Sequence, residues 1–183
     1  MPLAILGIAG SLRQASYNRA LLRATIALAP AELAITPFER IREFPLYDAD
    51  LEARGIPEPV AAFKAALAAA DGILIATPEY NHSVPGLLKN AIDWASRPAG
   101  RAAYHGKPIG ILGATPGLGA TIRGQMALRQ ALDEAYVMPS PEVLIARAAE
   151  RFDAEGRLTD ESTRKFVSQF LTAFQAWVER FRG

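Results

Sequence analysis

Apolar and polar positions fall along the chain in blocks of two kinds. Leu3 to Ala9 is a continuous apolar run closed by Gly10, the pattern of a strand covered on both faces. Shorter runs of the same kind occur at Ala34 to Phe38, Ile73 to Thr77, Pro108 to Leu112 and Val143 to Ala146. Between and after them, apolar residues recur at helical spacing over Asn18 to Leu28, Val60 to Ala70, Pro85 or Gly86 to Ser96, Ile122 to Ala135 and Asp160 to Phe181. Strand and helix alternate through connections too long for hairpins. This predicts an α/β chain, a five-stranded parallel sheet with helices on both faces, over one domain spanning 1–183. The stretch "ERIREFPLYDADLEARGIPEP" reads as a long functional loop carrying Phe44, Leu46 and Tyr47.

Polar chemistry collects immediately after three of the strands: "GSLRQASYN" after the first, "PEYNHSVPG" after the third and "ATPGLGAT" after the fourth. In an open doubly wound sheet, ligands bind outside the carboxyl ends of the strands where the strand order reverses. For order 2-1-3-4-5 that point lies between strands 1 and 3, so two of these segments meet there and the third flanks them.

In the first segment, the Ser11 and Ser16 hydroxyls, the Asn18 amide, free N–H groups at a helix start and the forked cation of Arg13 suit a terminal phosphate. Hydrogen bonds to a charged group are worth about 1.5–3 kcal/mol each, against about 0.3–2 kcal/mol from a helix dipole, so the side chains outweigh the dipole. The plainer alternative is a helix cap at Ser16 or Asn18 with Arg13 solvated. Two rival phosphate motifs fail: "GIAGSLR" lacks the G-x-G-x-x-G spacing, and "GRAAYHGKP" lacks the hydroxyl residue after its lysine.

In the second segment, Pro78 and Pro85 stiffen a loop bearing Glu79, Tyr80, Asn81 and Ser83. A flat heterocycle could stack on Tyr80 while Asn81 and backbone amides read its edge; burying ~250 Å² of ring yields about 6 kcal/mol. The alternative is a proline-braced turn with Glu79 facing solvent. His82 reads as an exposed loop histidine, since no second metal ligand is near. Lys89 and Asp93 read as an i, i+4 ion pair, and Trp94 as core or interface. In the third segment, Gly117 and Gly119 permit close backbone approach and Thr115 offers a hydroxyl.

Composition narrows the partners. Twenty basic and nineteen acidic residues leave a net charge of +1, which recommends neither nucleic acid nor a membrane surface, so the expected partner is small. With no cysteine, thiolate, disulfide and iron–sulfur chemistry are excluded, and any redox step must be borrowed from a cofactor. The opening "MPLAILGIAG" has neither a basic leader nor a spanning run, so a cytoplasmic location is expected.

At the quoted residues the chain resembles the NADPH-dependent FMN reductase family, which includes quinone, azo-dye, ferric and chromate reductases on a flavodoxin-like fold. The matching motifs are "GSLRxxSxN" over Gly10 to Asn18 and "PEYNxSxPGxLKNAIDW" over Pro78 to Trp94, with further similarity at "PLYDADL", "GKP" and around "LRQAL".

The resemblance implies that Ser11, Leu12, Arg13, Ser16, Tyr17 and Asn18 hold the FMN phosphate arm. It further implies that Pro78, Glu79, Tyr80 and Asn81 embrace the isoalloxazine, and that Thr115 and Gly117 close the far side. It implies NADH or NADPH as hydride donor, a quinone-like, azo, ferric or chromate acceptor, and a homodimer or homotetramer with the active site near the interface. "PLYDAD" would then reach over the partner's flavin, and Arg97, Tyr104 and His105 would line the substrate mouth. The third motif departs from the family, with Thr115 where many members have Ser and Gly117-Leu118-Gly119 in place of a G-x-x-G spacing. Because the flavin carries the chemistry, no side chain is nominated as acid or base and no metal ligand is expected. A flavodoxin-like electron carrier is the alternative; its partner-steering surface charge would be of one sign.

Overall fold

The computed structural model describes residues 1–182. Its sheet is parallel throughout. β1 (Leu3–Ala9) lies between β2 (Leu33–Pro37) and β3 (Gly72–Ala76), and β4 (Pro108–Ala114) lies beyond β3. Strand order is therefore 2-1-3-4 followed by the edge, the order of the expected flavodoxin-like fold. The edge itself is divided. β5 (Tyr136–Val137) pairs with the start of β4 and β6 (Val143–Ile145) with its end, giving six strands where five were expected. The intervening Pro139 and Pro141 have no N–H to donate to a ladder, which accounts for the interruption.

Side-chain alternation builds two cores. Leu74 and Leu112 point to the face covered by α1 (Tyr17–Leu28) and α6 (Glu161–Arg180), where Leu21, Phe170 and Phe174 bury them. Ile73, Ile75, Ile109 and Ile111 point to the opposite face, against Phe63 of α3 (Glu58–Ala69), Leu88 of α4 (Gly86–Ala95) and Leu128 of α5 (Ile122–Ala131). A period of two in the strands, buried on both sides, is what their continuous apolar runs encode.

The segment expected to be a loop contains two short helices, a 3₁₀ turn over Arg40–Glu43 and α2 (Ala49–Arg54), the latter capped by Asp48 accepting from the Asp50 N–H at 2.8 Å. Its "PLYDAD" part is pinned to its own α4. The Pro45 carbonyl accepts from Asn90 Nδ2 and from Trp94 Nε1, each at 2.9 Å, and Asn90 Oδ1 accepts from the Tyr47 N–H at 2.8 Å. Trp94 is fully buried, as a core residue. Among the described residues no helix is long and apolar enough to cross a membrane.

Candidate functional site

The three polar segments converge because their strands are neighbours in register. Ala9 of β1 pairs with Ala76 of β3, and Ala76 with Leu112 of β4, so the strands release their loops side by side. The Gly10 N–H donates to the Ala76 carbonyl at 2.8 Å and the Thr77 N–H to the Leu112 carbonyl at 2.9 Å. A Cβ on Gly10 would stand 3.2 Å from Thr77 Oγ1 and 3.3 Å from Pro78 Cδ, so the roots of the first and second loops touch.

Asn18 locks the first loop to the third. Its Nδ2 donates to the Ala114 carbonyl and its Oδ1 accepts from the Ala114 N–H, both at 2.9 Å and both buried. A side-chain amide carries both the donor and the acceptor needed to answer a backbone C=O and N–H together. Ser16 caps α1, accepting from the N–H groups of Asn18 and Arg19. The cap read as the plainer alternative is therefore present, in a buried residue. Ser11, also buried, accepts from the Arg13 N–H at 3.4 Å. Arg13 is exposed; its Nε and Nη2 donate to the Ala15 carbonyl at 3.2 and 2.6 Å, and its guanidinium lies 5.8 Å from the centre of the Tyr17 ring. Tyr17 packs in turn on Phe152 at 5.7 Å between centroids.

The second loop is a tight hairpin. Tyr80 and Ser83 exchange backbone hydrogen bonds of 3.2 and 3.0 Å around Asn81 and His82, which both take positive φ, at 50° and 61°. Positive φ at both central residues is the requirement of a type I′ turn, and Asn is among the residues that tolerate it best.

Glu79 does not face solvent. Its Oε2 accepts from the Gly124 N–H at 2.8 Å, so the carboxylate sits on the first turn of α5 and ties the second loop to that helix. Burial pushes the Glu79 pKa up, but hydrogen bonds from the Gly124 N–H, His82 and the Arg123 N–H outweigh it and leave the group below its ordinary value. A carboxylate with a depressed folded pKa contributes stability above its unfolded value and loses it as pH falls through the folded one. Below about pH 4.5, the group's ordinary value, wild-type stability is expected to fall more steeply than that of Glu79→Gln in urea titrations across pH 3–6. Parallel profiles would refute the tie.

His82 Nδ1 lies 3.4 Å from Glu79 Oε1 and 2.9 Å from Arg123 Nη1, a polar cluster. Among the described residues no three His, Asp or Glu side chains are grouped so as to hold a metal ion. Lys89 and Asp93 form the expected pair at 2.5 Å.

The third loop is held from behind. Thr115 Oγ1 accepts from the Gly117 N–H at 3.3 Å, the Thr115 N–H donates to Ile145 at 2.9 Å, and the Gly117 carbonyl accepts from the Arg147 N–H at 3.2 Å. Sequence reasoning missed these tethers, Ala114, Gly124, Ile145 and Arg147, because each acts through its main chain. Within the chain, the three residues implied for a substrate mouth lie between the carboxyl end of α4 and the start of β4. Arg97 stacks over Tyr47 at 5.0 Å, and His105 contacts Glu134 at 3.2 Å near the start of β4, at the far end of the sheet. Tyr104 is only 4% exposed.

One large apolar side chain is left exposed on each loop: Leu12, Tyr80 and Leu118. A polar, N–H-rich loop after the first strand, a rigid turn after the third and apolar groups across the gap define a flavodoxin-like, mononucleotide-binding α/β protein. Comparison narrows the class: the family model described as NADPH-dependent FMN reductase matches residues 3–150, and the chain belongs to that family.

Its relatives include an NAD(P)H-dependent FMN reductase of Pseudomonas aeruginosa, 49% identical over 181 residues, covering 98% of this chain and 97% of that protein. A 2-hydroxy-1,4-benzoquinone reductase of a Burkholderia species is 43% identical, covering 97% of each. Among solved structures, the flavoenzyme NAD(P)H:(acceptor) oxidoreductase of Paracoccus denitrificans superposes with a TM-score of 0.89 at 38% identity, covering 98% of each chain. The chain is thus an FMN-dependent NAD(P)H oxidoreductase.

Proposed function

We propose that the three loops grip one FMN and that the chain passes reducing equivalents from NADH or NADPH to a quinone-like small molecule. The observation that carries this reading is the trio Leu12, Tyr80 and Leu118, exposed on three loops whose roots are locked together. An apolar ring laid across them would remove them from water at about 25 cal/mol per Å². The donor set fits the rest of the cofactor. Ser11, with the main-chain N–H groups of the Leu12–Tyr17 loop, faces the phosphate, and Arg13 supplies the cation. Ser16 and Asn18 are positioning residues there, since their side chains are committed to α1 and to Ala114.

Pro78, Tyr80 and Asn81 bound the isoalloxazine on one side and Thr115 and Gly117 on the other, while Glu79 holds the turn to α5. Bound FMN supplies the two-electron chemistry between donor and acceptor. The chain's own work is to hold it, orient it and leave one face open; no side chain is assigned as acid or base. Quinone reduction is supported by the benzoquinone reductase relative. Exposed Ile122 and Met126 on α5 support a homodimer or homotetramer, with the site close to the contact.

The test is anaerobic. NADPH or NADH should bleach the flavin absorbance of the FMN-loaded protein, and a quinone should restore it; a flavin that ignores both nucleotides would make the chain an electron carrier. Arg13→Ala should weaken FMN binding about tenfold or more, the worth of one charge-assisted hydrogen bond, with the urea midpoint unchanged. Flavin fluorescence reports the affinity, and an unaltered value would remove Arg13 from the phosphate site.

A further inference from the structure

A sizeable cavity lies away from the Tyr80 turn. It has a volume of about 590 Å³ and opens at the carboxyl end of β2, on the other side of the first loop. Ser11 and Leu12 form the wall it shares with the FMN loop, Leu22, Ile26 and Phe38 give it an apolar floor, and Arg19, Arg23 and Arg42 give it cations. Arg40 also reaches it, but its guanidinium is already held by Glu43 at 2.8 Å and Glu58 at 2.5 Å. By contrast, no described carboxylate lies within 4 Å of Arg19, Arg23 or Arg42. A Cβ on Gly156 would stand 2.9 Å from Arg23 Nη2, so part of this guanidinium lies beside the turn before α6. Glu39 lines the same cavity and, among the described residues, forms no ion pair, offering an acceptor for hydroxyl groups.

An apolar floor with unpaired arginines and one free carboxylate fits a base, a phosphate and a sugar hydroxyl. We propose that this cavity takes the phosphorylated adenosine end of NADPH, with Arg23 and Arg42 on its 2′-phosphate, and so makes NADPH the preferred donor. The inference rests on the reductase reading above. A donor whose nicotinamide faces the flavin has to lay its other end beyond one of the loops. The sheet order puts β2 next to the first loop on the side away from the Tyr80 turn. In Rossmann dinucleotide folds an arginine near the ribose-binding position accommodates a 2′-phosphate; here Arg42 follows β2 and Arg23 lies on α1, and the planar guanidinium matches a phosphate through paired hydrogen bonds.

The probe is adenosine 2′,5′-bisphosphate, titrated calorimetrically into the FMN-loaded protein beside adenosine 5′-monophosphate and inorganic phosphate. The bisphosphate is expected to bind about tenfold or more tighter than either. Arg23→Ala and Arg42→Ala, made separately, should each reduce that advantage and lower the ratio of kcat/KM for NADPH to that for NADH. Equal binding of the two nucleotides, an advantage that survives both substitutions, or inorganic phosphate binding as tightly as the bisphosphate would overturn the proposal. Release of FMN by either substitution would also overturn it, since the cavity would then serve the flavin's own phosphate. A wild-type protein that holds FMN but oxidises neither nucleotide refutes the reductase reading, while the bisphosphate titration still decides the site by itself.

Discussion

Gly113→Ala should lose about 3 kcal/mol of stability, the upper part of the range for overpacking a filled interior, and should no longer retain FMN. Gly113 lies near the end of β4, where a Cβ would stand 2.6 Å from the Thr77 carbonyl and closer still to Thr121 Oγ1. Thr77 and Thr121 are both buried, and the Thr77 oxygen belongs to the backbone at the root of the second loop. Relief therefore requires moving the loop or the start of α5 away from β4. The conformational preference of alanine is not the difficulty, since Gly113 has ordinary strand geometry; the obstacle is volume alone. A urea midpoint lowered at constant m, together with flavin that washes out on gel filtration, is the expected pair of results. A wild-type midpoint would mean that the three loops are not packed root to root.

Asn18→Ala should lose about 2–6 kcal/mol, because it strands both the N–H and the C=O of buried Ala114, at about 1–3 kcal/mol per unsatisfied group. A domain of ordinary stability holds about 5–15 kcal/mol, so the upper figure would leave the variant partly unfolded. Asn18→Asp separates geometry from hydrogen bonding: it keeps the shape and one acceptor but has no group to donate to the Ala114 carbonyl, and it places a charge where burial disfavours one. It should therefore lie at or below Asn18→Ala at neutral pH and recover part of the loss as acid protonates it. Equilibrium unfolding at pH 7 and pH 4.5 reads both effects. If Asn18→Ala unfolds like wild type yet binds FMN weakly, the amide is a phosphate ligand after all.

The two residues illustrate how far a linear reading reaches. Asn18 was legible as a site residue from its place in a polar segment at the start of a helix, but not as a clamp, since its partner is 96 positions away and acts through its main chain. Glu79 was legible as part of a motif, and its exposure was open; its position relative to α5 is set by the packing of a helix that begins at Ile122. The 39–58 stretch shows the converse. Its prolines and mixed charge conceal a 3₁₀ turn and a six-residue helix too short to leave a periodic signal. Tyr104 was placed by resemblance at a mouth, and its burial against the core beside α4 could not be seen from its neighbours in sequence.

The sequence by itself determined the alternation of strands and helices and the location of the polar segments immediately after three of the strands. Those features depend on the period of apolar residues and on the backbone preferences of glycine, proline and asparagine, which are local. Only the tertiary structure decided which hydrogen bonds bind the loops to one another, that the edge of the sheet is made of two pieces, and that Arg19, Arg23 and Arg42 surround one cavity beside the first loop. These are matters of distance between segments remote in the chain, and distance is settled by how the two cores pack.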